Sequence, residues 1–150
     1  MTKKLLMGNE AIARAAVEAG LNLAAAYPGT PSSEIMETLA EWSRDFGYYA
    51  EWSVNEKVAM EVAAGVAYAG ANALVAMKQV GLNVASDPLM SLAYIGVKGA
   101  LVVVVADDPG PHSSQTEQDT RVYAKFAKLP VFDPSSPEEA RAMTKAAFEL

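Results

Sequence analysis

The sequence contains no cysteine and only one histidine, His112, among its 150 residues. The absence of cysteine excludes disulfide bonds, thiolate nucleophiles and cysteine-ligated zinc or iron–sulfur centres within this chain. A single histidine likewise excludes metal sites built from several histidines. No apolar run approaches the roughly 20 residues that a membrane-spanning helix needs. We therefore expect neither a metal site nor a membrane segment in this chain.

Basic residues are also few. Twelve Lys and Arg stand against 18 Asp and Glu, for a net charge of -6. Nucleic-acid binding is not expected, because phosphate contacts need clustered basic side chains and those here are scattered. No secretory signal precedes the polar residues that begin near Asn9, so the expected location is the cytoplasm.

The chain has the length and composition of one soluble domain. With 51% hydrophobic residues, a chain of 150 residues can bury a core of its own. Residues 1–150 are thus interpreted as a single domain. The last predicted helix reaches Leu150 without a stop signal, so we expect this domain to be the N-terminal part of a longer chain.

Helical and extended patterns alternate along the chain. Gly20 and Gly70 suit the left-handed backbone positions that end helices. The unbroken β-branched run at residues 101–105 is typical of a strand at the centre of a parallel sheet. The predicted strands cover residues 21–27, 48–52, 73–77, 101–105 and 131–132, with helices between them. This order predicts an α/β fold, a parallel sheet with helices on both faces.

Four segments that follow predicted strands are candidates for a site. In an open parallel sheet, ligands bind at the carboxyl ends of the strands. The segments are residues 27–33, 53–56, 78–83 and 107–115, and the third is predicted to be a polar, glycine-containing break. They contain hydroxyl groups, glycines, one glutamate at a helix start and the only histidine. We expect them to share one edge of the sheet.

Glu56 has two interpretations. Ser53 and Glu56 have the spacing of a capping box, in which the glutamate side chain accepts a hydrogen bond from the backbone N–H of the serine. Alternatively, the carboxylate contacts a ring nitrogen of a bound cofactor. Both interpretations stay open at this stage.

The other segments are equally ambiguous. Thr30 is a predicted N-cap with Pro31 at the first helical position, which is either a capped helix after a turn or an oxyanion site. His112 is either a solvated loop residue or part of a site. Asp107 and Asp108 either hold Mg²⁺ or form a turn.

The four segments and their surroundings also resemble a known family. The stretches AYPGTPSSE (residues 26–34), VNEKVA (54–59), MKQVGLNVASDPLM (77–90) and DDPGPHSSQ (107–115) are together similar to the alpha subunits of indolepyruvate:ferredoxin oxidoreductases, within the 2-oxo acid:ferredoxin oxidoreductases. The resemblance covers nearly the whole chain. It implies the pyrimidine-binding fold of a thiamine-diphosphate enzyme. Such enzymes oxidatively decarboxylate 2-oxo acids, here aryl pyruvates, with coenzyme A as acyl acceptor and ferredoxin as electron acceptor.

The resemblance implies roles for individual residues. Glu56 matches the glutamate that hydrogen-bonds N1′ of the aminopyrimidine and so helps to deprotonate the thiazolium C2. Thr30 matches a threonine near the carboxylate and oxo group of the substrate. The remaining implied contacts are Pro28, Gly81 and Asn83 to the cofactor, and Gly29 and His112 to the substrate.

The sequence also departs from its relatives. Related pyruvate enzymes clamp the substrate with an arginine that has no clear counterpart here, for which Lys78 and Arg121 are candidates, and they tend to carry a larger residue in place of Gly29. There is no Gly-Asp-Gly segment followed by Asn-Asn, so diphosphate, Mg²⁺ and iron–sulfur binding are expected from another domain or subunit of a homo- or hetero-oligomer.

Three alternatives remain. The first is a pyruvate-type 2-oxo acid oxidoreductase. The second is a non-catalytic assembly module that dimerises through the small-residue helix at residues 59–69. The third is a flavodoxin-like nucleotide-binding domain, which rests on the predicted fold alone.

Overall fold

The computed structural model describes residues 4–150, in which strands and helices alternate. The strands are β1 (Leu23–Ala26), β2 (Tyr49–Trp52), β3 (Ala73–Lys78) and β4 (Leu101–Ala106). The helices are α1 (Gly8–Glu18), α2 (Ser33–Phe46), α3 (Glu56–Tyr68), α4 (Gln79–Val84), α5 (Ser86–Ile95), α6 (Arg121–Ala127) and α7 (Pro137–Glu149). Gly20 and Gly70 follow α1 and α3 with φ of +82° and +92°, so both predicted left-handed helix ends are confirmed.

The four strands form one parallel sheet in the order β2-β1-β3-β4. Successive side chains of β1 point to opposite faces, as the pleat requires. Leu23 and Ala25 belong to the apolar cluster that includes α3, whereas Ala24 and Ala26 belong to the cluster that includes α1 and α2. The predicted parallel α/β fold with helices on both faces is thus confirmed.

Small residues bring the helices close to this sheet. Ala59, Ala63 and Ala67 of α3 are fully buried, and the first two pack in one cluster with Leu82 of α4 and Leu89 of α5. The opposite face is covered by α1 and α2, with α7 packed against α1. The central strands β1 and β3 are therefore buried on both sides, and their carboxyl ends open on a single edge.

The prediction that residues 101–105 form a central strand is wrong. β4 is an outer strand of the sheet formed by residues 4–150, and each of its residues is only half buried. The predicted strand at Val131 and Phe132 does not form, and these residues instead line a cavity of about 1230 Å³ beside β4. The hydrophobic run thus identified a strand, but neither its burial nor its position in the sheet.

The predicted break at residues 78–83 is also wrong, because β3 passes directly into helix α4 at Gln79. Glycine in a helix costs about 1 kcal/mol relative to alanine. Here, burial of Gln79, Gly81 and Leu82 against the rest of the domain outweighs that preference.

Tyr48 provides a test of the core. Its hydroxyl donates to the carbonyl of Leu39, and burial raises the pKa of the phenol to about 12. Because the folded pKa lies above the ordinary value of 10, this group's contribution to stability is complete below pH 10 and is lost as pH rises to about 12. Tyr48→Phe should lower the free energy of unfolding by about 1 kcal/mol at pH 8. It should also remove part of the loss of stability that wild type shows between pH 10 and 12.

Urea unfolding at pH 8 and pH 11 measures both effects. Tyr94→Phe is the matched control, because that ring is 73% exposed. Equal alkaline declines in wild type and Tyr48→Phe would show that the phenol of Tyr48 does not control this pH dependence.

Candidate active site

The four segments predicted to share one edge do converge there. The side chain of Lys78, at the end of β3, lies against Gly29 in the segment after β1. Its ammonium donates to Oε1 of Gln115, in the segment after β4, at 3.0 Å. Gln79 donates to the carbonyl of Thr116 at 2.8 Å. These contacts join the carboxyl ends of β1, β3 and β4 into one crevice.

Glu56 enters the same crevice from the start of α3. Its side chain is buried, with 7% exposure, and lies directly against Gly81 of α4. A Cβ at Gly81 would lie 2.6 Å from Oε1 of Glu56. Within residues 4–150, no donor hydrogen-bonds the carboxyl group and no basic side chain forms a salt bridge with it. The carboxyl group of Glu56 is therefore available to accept a hydrogen bond from a ligand in the crevice.

The capping-box interpretation of Glu56 is wrong. Asn55 is the N-cap of α3, and its side chain accepts from the N–H of Val58 at 2.9 Å. The hydroxyl of Ser53 instead donates to Glu51 at 2.8 Å. The helix therefore begins two residues later than predicted, which frees Glu56 from any capping role.

Thr30 is likewise not an N-cap. The N–H and the hydroxyl of Ser32 both donate to the carbonyl of Gly29, which closes a turn with Thr30 and Pro31 at its centre. The helix begins only at Ser33. Thr30 is exposed on this turn, so its hydroxyl is presented at the edge without the help of a helix N-terminus.

The turn retains the other predicted residues at the edge. Pro28 is exposed and Gly29 is half-buried. The N–H of Gly29 donates to the hydroxyl of Ser33 at 2.9 Å, which fixes the turn against the start of α2. A Cβ at Gly29 would lie 3.1 Å from Cγ of Lys78, so a larger residue would crowd that lysine.

The Asn83 side chain bonds to neighbouring residues of the domain. Its amide exchanges two hydrogen bonds with Gln118, both of 3.0 Å, and accepts a third from the hydroxyl of Tyr123. The side chain therefore joins α4 to the segment before α6 and to α6 itself. Gly81, by contrast, is buried and faces Glu56.

The acidic residues after β4 form a turn rather than a metal site. One oxygen of Asp108 accepts from the backbone N–H groups of His112, Ser113 and Ser114 at 2.9 to 3.0 Å. These hydrogen bonds, led by that of Ser113, hold the pKa of Asp108 below its usual value. Asp107 accepts from the N–H and hydroxyl of Thr120. Residues 4–150 contain no cluster of three or more His, Asp or Glu suited to a metal ion.

His112 lies on this turn with an exposed side chain. The neighbouring Ser113 hydroxyl reaches the carbonyl of Thr30 at 3.4 Å, which brings the turn next to the one formed by residues 28–32. Thus the structure places His112 near Thr30, at the outer rim of the crevice.

The sequence prediction missed Gln79. This side chain is fully buried, and its Oε1 has no hydrogen-bond partner within the described residues. Its position directly after a buried strand, at the start of a helix, could have indicated a site residue. It was hidden by the prediction that residues 78–83 form a loop.

The sequence is similar to those of known oxidoreductases. Residues 14–150 match the family described as pyruvate flavodoxin/ferredoxin oxidoreductase, thiamine diphosphate-binding. The chain is 59% identical over 146 residues to indolepyruvate oxidoreductase subunit IorA of Thermococcus kodakarensis, covering 97% of this chain and 23% of that protein. It is 57% identical over 152 residues to the same subunit of Archaeoglobus fulgidus, covering 99% of this chain and 24% of that protein. The chain thus spans about a quarter of the length of these relatives.

A solved structure supports the fold. The chain is similar, with a TM-score of 0.76 and 19% sequence identity, to a 2-oxoglutarate:ferredoxin oxidoreductase from Magnetococcus marinus. The similarity covers 95% of this chain and 26% of that one. Of the helices in residues 4–150, none has the length and apolar character needed to cross a membrane.

Proposed function

Because the chain belongs to the thiamine diphosphate-binding family of pyruvate flavodoxin/ferredoxin oxidoreductases, we propose that residues 1–150 form the pyrimidine-binding domain of a cytoplasmic 2-oxo acid oxidoreductase. The proposed reaction is the oxidative decarboxylation of aryl pyruvates such as indolepyruvate. Coenzyme A takes the acyl group and ferredoxin takes the electrons.

The observation that carries this proposal is Glu56, a residue with 7% exposure at the carboxyl edge of the sheet, whose carboxyl group has no hydrogen-bond or salt-bridge partner within residues 4–150. An aminopyrimidine ring fits such a group, because its N1′ can share a proton with one carboxyl oxygen. When bound, thiamine diphosphate supplies a carbanion for attack on the 2-oxo carbon and takes up the electrons left by carbon dioxide. Glu56 has the task of holding a proton at N1′, and the burial around it excludes water that would compete for this hydrogen bond.

Other residues of the edge have supporting tasks in this proposal. Gly81 leaves the space that the Glu56 carboxyl group occupies. The turn at residues 28–32 presents the Thr30 hydroxyl to the substrate, with Pro28 and Gly29 forming the adjacent wall and His112 the outer rim. Asn83 supports the wall through Gln118 and Tyr123.

The remaining components come from outside this chain. We assign diphosphate and Mg²⁺ binding to another domain or subunit, because the chain lacks the Gly-Asp-Gly and Asn-Asn pattern used for them. Iron–sulfur clusters need cysteine ligands that this chain does not have. The complete site is therefore proposed to form in a homo- or hetero-oligomer, across the boundary between this domain and its partner.

The names of the relatives support aryl pyruvates as the proposed substrates. The two relatives with 57% and 59% identity are named indolepyruvate oxidoreductases, whereas a 2-oxoglutarate synthase subunit of Archaeoglobus fulgidus is only 30% identical, over 159 residues. That match covers 100% of this chain and 45% of the synthase subunit.

The test measures coenzyme A-dependent viologen reduction by the complete oxidoreductase that contains this chain. Indolepyruvate, phenylpyruvate, pyruvate and 2-oxoglutarate are compared, each with and without thiamine diphosphate. We expect thiamine-dependent reduction with the highest kcat/KM for the two aryl substrates. A higher kcat/KM for pyruvate would contradict the substrate class, and activity that is absent or independent of thiamine diphosphate would contradict the enzyme assignment.

A further inference from the structure

The proposed substrates carry a carboxylate, and the crevice contains one basic side chain suited to it. Among the described residues, Lys57, Lys78 and Arg121 each lie at or after the carboxyl end of a strand. Arg121 donates to both oxygens of Asp119 and to Asp133, each at 2.9 Å, so its guanidinium is already neutralised. Lys57 lies 2.7 Å from the carboxylate of Asp87. Lys78 differs from both, since within residues 4–150 it contacts only the neutral amide oxygen of Gln115.

The path of the Lys78 side chain is fixed by its neighbours. Lys78 is the last residue of the buried strand β3, which lies between β1 and β4 in the sheet. Its stem crosses Gly29, where an added Cβ would lie 3.1 Å from Cγ and 3.2 Å from Cδ. The amide of Gln115 then receives the ammonium at 3.0 Å. The positive charge is therefore held between the 28–32 turn and the turn after β4, with two of its three N–H bonds left for a ligand.

Lys78 and Glu56 are linked through helix α4. Gly81, which contacts the Glu56 carboxyl group, follows Lys78 by only three residues and lies in the helix that Lys78 precedes. Lys78 ends β3 and Glu56 begins α3, and the two do not form a salt bridge with each other. Both residues belong to the crevice, and neither has an oppositely charged partner within residues 4–150.

We propose that the Lys78 ammonium binds the carboxylate of the 2-oxo acid, with Gly29 providing the channel for its side chain. This inference rests on the proposed function. In that proposed function, diphosphate binding is assigned to another domain or subunit, and the substrate lies beside the turn at residues 28–32, which Lys78 contacts through Gly29. The anion beside Lys78 is then the small carboxylate of the substrate, next to the carbon that reacts.

The test compares Lys78→Met with Lys78→Arg in the complete oxidoreductase. Methionine keeps an apolar stem over Gly29 but removes the charge, whereas arginine restores it. Lys57→Met is the matched control, since it removes a lysine that is already paired with Asp87. For Lys78→Met we expect KM for indolepyruvate to rise roughly 10- to 100-fold, as for the loss of one charge-assisted hydrogen bond, with partial recovery in Lys78→Arg. The dissociation constant of thiamine diphosphate and KM for coenzyme A should stay unchanged.

A binding measurement makes the result independent of turnover. Calorimetry with 3-(indol-3-yl)propionate and its neutral amide should show a preference for the acid in wild type and in Lys57→Met, and no preference in Lys78→Met. Weaker thiamine diphosphate or coenzyme A binding in Lys78→Met, with the acid preference intact, would assign the lysine to a phosphate and overturn the proposal. An acid preference in Lys78→Met equal to that of wild type, with all other binding unchanged, would also overturn the proposal. If wild type showed no thiamine-dependent activity but lost its acid preference in Lys78→Met, the proposed reaction would fail while carboxylate binding by Lys78 would stand.

Discussion

Glu56→Gln is expected to lower the turnover of the complete oxidoreductase roughly 10²- to 10⁴-fold, the range for loss of one group that transfers a proton. Glutamine has nearly the size of glutamate, so it fits beside Gly81, and its amide can still hydrogen-bond N1′. It cannot hold and release the proton there. The loss should therefore appear in kcat, with a much smaller change in the dissociation constant of thiamine diphosphate.

Stability separates this role from a structural one. Asn55 caps α3, so the substitution at Glu56 removes no capping hydrogen bond. Because Glu56 is 7% exposed and its carboxyl group has no partner within residues 4–150, we expect the unfolding midpoint of cofactor-free Glu56→Gln to equal or exceed that of wild type. Glu61→Gln is the control, with the same chemical change on the same helix at a side chain that is 54% exposed. Equal turnover in Glu56→Gln and Glu61→Gln would contradict a catalytic role for Glu56.

The sequence predicted the features of the fold that depend on local pattern. Glycines at helix ends identified where α1 and α3 stop, and alternation with helices indicated a parallel sheet. From that sheet the shared edge of the four segments followed, because the carboxyl ends of parallel strands point the same way. Strand order did not follow. An apolar run such as residues 101–105 can form a strand with one neighbouring strand or with two. The outer position of β4 could therefore not be deduced from the sequence.

Local competition explains the errors within the site. Ser53 and Asn55 are both good N-caps, two residues apart, and only the tertiary position of α3 selects Asn55. Thr30 followed by Pro31 has the sequence of a helix start, yet the two donors of Ser32 close a turn on Gly29 instead. In both cases packing of the folded domain outweighed an N-cap preference of about 1 kcal/mol, that of Ser53 or of Thr30.

The contact between Glu56 and Gly81 could not be predicted from sequence, because it joins residues 25 positions apart through the absence of a side chain. The resemblance to known enzymes implied that Gly81 contacts the cofactor. The structure gives it a more specific place, since the carboxyl group of Glu56 fills the volume that a Cβ would need. Gly81 is therefore a candidate positioning residue for Glu56.

Gly81→Ala tests that role. The added Cβ would lie 2.6 Å from Oε1 and 2.7 Å from Cγ of Glu56, so the carboxyl group must move. Displacement of a reacting group by about 1 Å can cost roughly 10²-fold in rate, and we expect a loss of this size in kcat. Helix propensity favours alanine by roughly 1 kcal/mol, which offsets part of the strain, so the domain should stay folded. Gly65→Ala in α3 is the control, because a Cβ there meets no atom within 4 Å.

The double variant distinguishes positioning from direct contact. If Gly81 acts only through the Glu56 carboxyl group, then adding Gly81→Ala to Glu56→Gln should cost little beyond the loss caused by Glu56→Gln alone. If the glycine instead contacts the cofactor itself, the two losses should multiply, and the dissociation constant of thiamine diphosphate should rise in Gly81→Ala. The measurements are kcat and the dissociation constant of thiamine diphosphate for wild type, the two single variants and the double variant. They separate positioning from direct contact, because only in positioning does the effect of Gly81→Ala on kcat depend on the acid at residue 56.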